Sequence, residues 1–246
     1  MNGNVELVEQ LIASGLDINE PQFSTKSTPV HLASISGKRR VLKLLLRSGA
    51  LVDAVDKDGR TALHHAAAWT NVRTAKDLIK FKANVNAQAT DGKTPLALAA
   101  HKGCSELVRM LLDCSADPDS FDAHGRRALH DAVCKGHQDC TDMLLRAGAS
   151  QICLQTNDNS SMTALGAAIC FQRFALIEFL ATHDLVDVNM RFLFNESHRT
   201  ALTYACSFPE GRMPRVEALL KSKTLKIDES LECDGIDRVN ALTIAV

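Results

Sequence analysis

The chain is poor in aromatic residues. Phe, Trp and Tyr make up 4% of 246 positions, with one Trp and one Tyr. Hydrophobic content is nevertheless 46%, so the core must be built from Ala, Leu, Val and Ile, which suits closely packed helices. Neither sign of charge is in excess: 28 Lys and Arg against 29 Asp and Glu give a net charge of -1. Without a basic surplus there is no stripe to hold a polyphosphate backbone, so nucleic acid is not an expected partner. No stretch reaches the roughly 18 apolar residues of a membrane helix, and no charged-then-apolar leader follows Met1, so membrane insertion is not expected. There is no Gly-x-Ser-x-Gly elbow and no Gly-rich phosphate loop. Catalysis by this chain, a cofactor and a small-molecule substrate are therefore not expected. No C-x-x-C pair occurs among Cys104, Cys114, Cys134, Cys140, Cys153, Cys170, Cys206 and Cys233. Reduced thiols in the cytoplasm, and also the nucleus, are the simpler reading.

What the chain does have is self-similarity. A hexapeptide starts at Thr28 (Thr-Pro-Val-His-Leu-Ala) and returns at Thr61, Thr94 and Arg127, each 33 residues after the last. Looser copies start at Thr163, Thr200 and Asn240. The unit can be read physically from the Thr61 copy. Asp56-Lys57-Asp58-Gly59 is turn chemistry. Thr61 is a candidate N-cap for a short helix carrying Leu63 and Ala66 on one face. Pro29 and Pro95 follow the equivalent Thr, where a first-turn proline is tolerated. Gly37, Gly103 and Gly136 fall nine residues after the hexapeptide start and break the helix. A second helix with apolar positions Val41, Leu42, Leu44, Leu45 and Leu46 ends at Gly49, or at Gly148 in a later copy. An extended segment such as Val52-Asp53-Ala54 leads to the next turn.

These residues resemble ankyrin repeats: the T-P-x-H-x-A start, the turn glycine, the paired leucines and the G-A-x-V-D/N end, at the family's 33-residue period. The resemblance covers nearly the whole chain. It implies an all-α solenoid of stacked helix–turn–helix units with β-hairpin loops, about six repeats in one array. The frames are 21–54, 55–87, 88–120, 121–155, 156–190 and 191–230, with partial units at 1–20 and 231–246. Both ends lack a polar capping repeat, so we expect a fragment of a longer protein or an incomplete gene reading. The pattern bends in places. Thr70 stands where the turn glycine is expected and Lys82 where the cap glycine is expected. Residues 151–161 and 190–199 are expected to enlarge hairpin loops. Ser207 to Pro214 is expected to lengthen an inter-helix turn, with Pro209 and Pro214 supporting a loop.

Residue clusters that suggest chemistry mostly have plainer explanations. His31, His64 and His130 occupy the family's hexapeptide position, and the resemblance implies that they hydrogen-bond neighbouring hairpin backbone. Cys134, His137 and Cys140 are the most metal-like group, but C-x2-H-x2-C is not a standard zinc spacing and no second ligand pair is evident. Cys140 sits in the slot of Val41 and reads as a small core hydrophobe. Lys38, Arg39, Arg40, Lys43 and Arg47 share one second helix and read as a solvated face, the alternatives being an acidic partner or a weak nuclear import signal. The triplets at Asn159 and Asn195 match a glycosylation pattern that means little without a secretory leader. Asn19 and Asn86 resemble the hairpin asparagines that asparaginyl hydroxylases modify, and are also ordinary ankyrin consensus.

The resemblance implies protein binding along a concave groove of hairpin tips and first helices, with the variable positions free to carry recognition. Those positions are Lys57, Asp58, Arg60, Trp69, Thr90, Lys93, His101, Lys102, His124, Arg126, Lys135 and Phe171. Trp69 is the sole Trp and reads either as a contact or as a filler of space left by Thr70. The expected function is a scaffold or adaptor that binds another protein. The alternative is the targeting domain of a larger enzyme such as a ubiquitin ligase, kinase or acyltransferase.

Overall fold

The structure, a computed structural model, describes residues 3–154, 161–194, 197–207 and 212–225. A lone helix α1 (Gly3–Ala13) opens the chain. Six helix pairs follow: α2 (Pro29–Ile35) with α3 (Arg39–Arg47), α4 (Ala62–Ala68) with α5 (Val72–Lys80), and α6 (Pro95–Lys102) with α7 (Ser105–Asp113). Then come α8 (Ala128–Lys135) with α9 (Gln138–Arg146), α10 (Ala164–Cys170) with α11 (Phe174–Thr182), and α12 (Ala201–Cys206) with α13 (Arg212–Leu220). Hairpins β1 (Ile152–Leu154)–β2 (Ser161–Thr163) and β3 (Phe192–Phe194)–β4 (Ser197–Arg199) precede α10 and α12. Both are antiparallel, with Ile152 opposite Thr163 and Phe192 opposite Arg199. Among the described residues no helix is long and apolar enough to cross a membrane.

Helices of six to nine residues are too short to hold alone in water, so they persist by stacking. First (inner) helices pack on first helices from α2 through α12, and second (outer) helices pack on one another from α1 through α9. The 33-residue period places the same side chain at each junction. Leu63, Leu96 and Leu129 are wholly buried on successive inner helices, as are Ala66, Ala99 and Ala132. Each buried leucine contributes on the order of 2 kcal/mol, and each alanine lets backbones approach closely.

Capping explains the hexapeptide. Thr94, Thr163 and Thr200 accept an amide from the third residue of the helix they open, at 3.2, 3.0 and 3.3 Å. Thr28 and Thr61 use a histidine instead. The amide of Thr28 donates to His31 Nδ1 at 3.0 Å, and that ring's Nε2 donates to the Arg60 carbonyl at 3.0 Å. His64 repeats this with Thr61 and the Lys93 carbonyl, both at 3.0 Å. Each ring therefore staples its own helix start to the following hairpin. His130 reaches the Gln151 carbonyl at 3.2 Å, and with Arg127 in place of the capping Thr its Nδ1 is buried with no hydrogen-bond partner among the described residues. In α10 the same slot is Gly166, and Phe192 from the next hairpin fills the room: a methyl group there would lie 3.1 Å from its ring. Phe192 then meets Tyr204 edge-on at 5.4 Å.

The structure corrects the sequence reading in several places. Val52 and Asp53 form a turn where an extended segment was expected. The early hairpins are tied tip to tip through main-chain atoms: Lys57 to Thr25, Thr90 to Asp58 and Ala123 to Asp91, at 2.9, 3.0 and 2.9 Å. Gly59 must be glycine there, because an added Cβ would lie 2.9 Å from the Thr90 nitrogen. Pro214 belongs to the first turn of α13, where its missing N–H is not needed, so the expected loop is shorter; Pro209 lies outside the described residues. Thr70 and Lys82 keep the glycine backbone, at φ of 53° and 66°. The basic run is also not a plain solvated face. Arg39 and Lys43 bond the buried Asp77 of α5 at 2.7 and 3.4 Å. Burial pushes the Asp77 carboxyl up, but hydrogen bonds from Arg39 and Lys43 outweigh it and hold it below the ordinary range.

Candidate protein-interaction surface

Seven of the twelve positions expected to bind a partner lie on the hairpins. Lys57 and Asp58 are exposed at one tip, each also serving the tip-to-tip chain through its backbone. Thr90 occupies the next tip, where its hydroxyl donates to the Asp58 carbonyl at 2.8 Å. His124 is exposed on the following tip, its amide held by Asp122 at 2.9 Å. Arg60 and Lys93 are half-buried and share Asp91, at 3.9 and 3.8 Å. Arg126, on the same hairpin as His124, closes on Asp122 at 3.3 Å.

The remaining positions lie near the C-terminal ends of inner helices. Lys102 and Lys135 are exposed in the last turns of α6 and α8. His101 faces Asp131 at 3.5 Å. Trp69 caps the end of α4 and is 60% exposed. Phe171 caps α10 and is 50% exposed. Two large apolar rings thus stand at inner-helix ends, with Lys102 and Lys135 on the two helices between them.

The sequence reading missed the acidic half of this surface. Asp56 and Asp122 lie 66 residues apart, two periods, and each folds its own hairpin: one carboxylate oxygen accepts the amides of residues two and four further on, at 2.9 Å for Asp56 and at 2.9 and 3.0 Å for Asp122. The second oxygen depends on the inner helix. In α4 it meets His65 Nε2 at 2.7 Å. In α8 the equivalent residue is Asp131, so Asp122 turns to Arg126. Burial pushes the Asp131 carboxyl up, opposed by Arg126 and His101. At Asp56 burial acts upward too, but donors from Arg60, His65 and Asp58 prevail and lower it. The signal was available as Asp-x-x-Gly at the turn and as the residue following each framework histidine. Asp56, Asp122 and Asp131 are themselves buried, and they hold His65, Arg126 and His101 at fixed distances.

Asn19 and Asn86 have a structural task. Asn19 Oδ1 accepts the Leu51 amide at 2.9 Å and Asn86 Oδ1 the Asp117 amide at 2.8 Å. Asp53 and Asp119 do the same for Asn84 and Ser150, at 3.0 and 2.7 Å. The acceptor oxygen is common to the Asn and Asp copies, and Asn86 Nδ2 adds a bond to the Ser115 carbonyl at 3.2 Å that an Asp could not make. His137 Nε2 donates to the His101 carbonyl at 3.2 Å and Cys140 is buried, its thiol pushed up to about 11 by that burial. No group of His, Cys, Asp or Glu among the described residues is placed to hold a metal ion. Asn159 and Asn195 lie outside the described residues.

A family profile for ankyrin repeats matches in three copies, over residues 1–89 and 71–158. The chain belongs to the ankyrin-repeat family. Ankyrin repeats are non-catalytic units that bind proteins. The array is similar over 64 residues, 26% of its length, to the E3 ubiquitin-protein ligase hecd-1 of Caenorhabditis elegans, at 42% identity. It is 35% identical over 63 residues to the phosphocholine transferase AnkX of Legionella pneumophila, and 45% identical over 64 residues to the mouse Ankyrin repeat and SOCS box protein 6, again over 26% of the chain in each case. The matches span 2%, 7% and 15% of those three proteins.

Proposed function

We propose that this ankyrin array is a protein-interaction module that receives its partner along the hairpin tips and inner helices, with no catalysis of its own. The observation that carries the reading is Trp69. It is a large apolar residue, exposed at the C-terminal end of an inner helix. Aromatic anchors ringed by ordered polar groups are common among binding hot spots. The contacts would come from Lys57, Asp58, Arg60, Trp69, Thr90, Lys93, His101, Lys102, His124, Arg126, Lys135 and Phe171. Affinity capture with the wild-type chain and with a Lys57/Trp69/Arg126 triple alanine, plus thermal melts of both, tests this. Loss of specific partners with an unchanged melt supports the surface. An unaffected partner set moves recognition elsewhere, to the enlarged hairpins that precede α10 and α12.

The relatives support a second reading, a targeting domain of a larger enzyme, since two of the three bear enzyme names while the matched segment spans only 2% and 7% of them. Sequencing the complete transcript decides between repeats alone and repeats joined to a catalytic domain. Reduced thiols at Cys104, Cys114, Cys134, Cys140, Cys170 and Cys206 support residence in the cytoplasm or nucleus, which fractionation of a tagged chain tests. Hydroxylation of Asn19 and Asn86 is a further proposal. Peptide mass spectrometry on protein from native tissue finds one added oxygen at these residues or rejects it.

A further inference from the structure

Charge is spread unevenly over the outer helices. The whole chain stands at -1. Yet α3 and α5 together carry seven cations and one anion. Their neighbours do not share this: α7 and α9 each hold two acids and one base, and α1 holds Glu6 and Glu9 with no base. Arg40, Lys43 and Arg47 stand three and then four residues apart on α3, one to a turn. Arg73, Lys76 and Lys80 repeat that spacing on α5, one period later. Because α3 packs against α5, the two rows lie side by side and make a grid of six cations. All but Lys43 are exposed. Arg47, Arg73, Lys76 and Lys80 make no ion pair among the described residues.

Such a grid works against the fold, since like charges one turn apart repel, and an anionic occupant would relieve it. The structure shows what this face accepts. Arg39, beside the grid, holds the Asp77 carboxylate through Nε and Nη2 at 2.7 and 3.1 Å, and Lys43 Nζ reaches it at 3.4 Å. The borders limit the occupant's width. In the same columns, Glu106 and Asp113 follow on α7 with Arg109 between them, and Glu6 and Glu9 precede on α1; these four acids are exposed. A long polyanion laid along the stack would cross those acids, so a nucleic-acid backbone fits poorly and a short acidic segment fits well. Each row of cations steps about 5 Å per turn, which carboxylates three and four residues apart on another helix would match; same-face side chains of an extended strand step about 7 Å and fall out of register.

We propose that the outer face of α3 and α5 is a second binding surface, which takes an acidic helical segment of a partner protein. It is separate from the hairpin and inner-helix surface and does not depend on it. Fluorescence anisotropy tests it, with the full chain and a labelled helical peptide whose glutamates lie three and four residues apart. The comparison ligands are a peptide of the same composition with its glutamates gathered at one end, a short DNA duplex and vesicles containing anionic lipid. The spaced peptide should bind most tightly, and its affinity should fall steeply between about 50 and about 150 mM salt. Arg73→Glu combined with Lys76→Glu should weaken it by roughly tenfold or more. Lys102→Glu combined with Lys135→Glu, on the inner helices, should leave it unchanged. Arg73 and Lys76 are exposed, so the helical signal should hold; if it does not, Arg73→Gln with Lys76→Gln repeats the measurement. Absence of binding at the lower salt overturns the proposal, and so does equal weakening by the inner-helix pair. Equal affinity for the gathered peptide removes the helical register on which the proposal rests. Tighter binding of the duplex or the vesicles would give the face to phosphate groups instead.

Discussion

Acid should weaken this fold before its carboxylates titrate, through the framework histidines. Burial pushes the His64 and His130 rings from the ordinary 6.5 down to about 4, against a backbone carbonyl partner that acts upward. His31 is lowered by the same cause. Well above pH 6.5 each ring is neutral whether the chain is folded or not, and the staple carries its full value. As pH falls through 6.5 the unfolded chain takes up a proton that the buried ring refuses until about 4. Stability therefore drops across that window and levels off below it. At about pH 5 the gap is roughly one and a half units, worth about 2 kcal/mol per ring and about 4 kcal/mol for the two, at about 1.4 kcal/mol per unit. That is a large share of the 5–15 kcal/mol typical of a domain. Urea unfolding followed by circular dichroism at about pH 7.5 and about pH 5, at constant ionic strength, measures it. The comparison is a His64→Thr, His130→Thr double variant, since Thr203 holds the same slot in α12 and its hydroxyl accepts the Thr200 amide at 2.9 Å. The variant should be weaker at neutral pH and lose little more on acidification. If it loses as much as wild type, the rings are not the source of the acid sensitivity and the neutral-staple argument is wrong.

Other perturbations follow from the same contacts. Thr70→Gly should raise stability by about 1 kcal/mol, because a β-branched residue is relieved of a left-handed backbone at φ 53°; a lowered melting temperature would contradict the strain argument. Leu78→Ala removes a fully buried side chain at the centre of the outer row and should cost about 2–5 kcal/mol by denaturant titration. Asp77→Asn should cost roughly 2 kcal/mol by weakening the charge-assisted bonds to Arg39 and Lys43, whereas Asp77→Met should fall within about 1 kcal/mol of wild type. Equal losses in those two variants would show that packing, not charge, sets the cost.

The array was legible because a solenoid presents the same neighbours to each unit. A column such as Leu63, Leu96 and Leu129 reads the same in sequence and in space. Thr70 and Lys82 were visible as departures from the glycine columns, though their sequence alone does not say that the turn keeps its left-handed form. What stayed hidden were contacts that depend on the identity of one residue in the next repeat. Asp77 stands in a column with Leu44, Met110 and Met143, which marks it as odd; only the stacking register brings Arg39 onto it from 38 residues away. The split roles of Asp56 and Asp122 depend likewise on whether the inner helix offers His65 or Asp131. Pro214 was misplaced because a proline marks a helix start as readily as a loop, and the pattern around it is too irregular to choose.

The bonds that join one hairpin tip to the next run between main-chain amides and carbonyls. They are indifferent to which side chain stands at Lys57 or Ala123, whereas at Thr90 the hydroxyl adds a second bond to the Asp58 carbonyl. Substitution at Lys57 or Ala123 should therefore cost little stability, and the scaffold needs no repair afterwards. The ladder of tips is thus carried by the backbone, and the side chains that project from it are left free to vary.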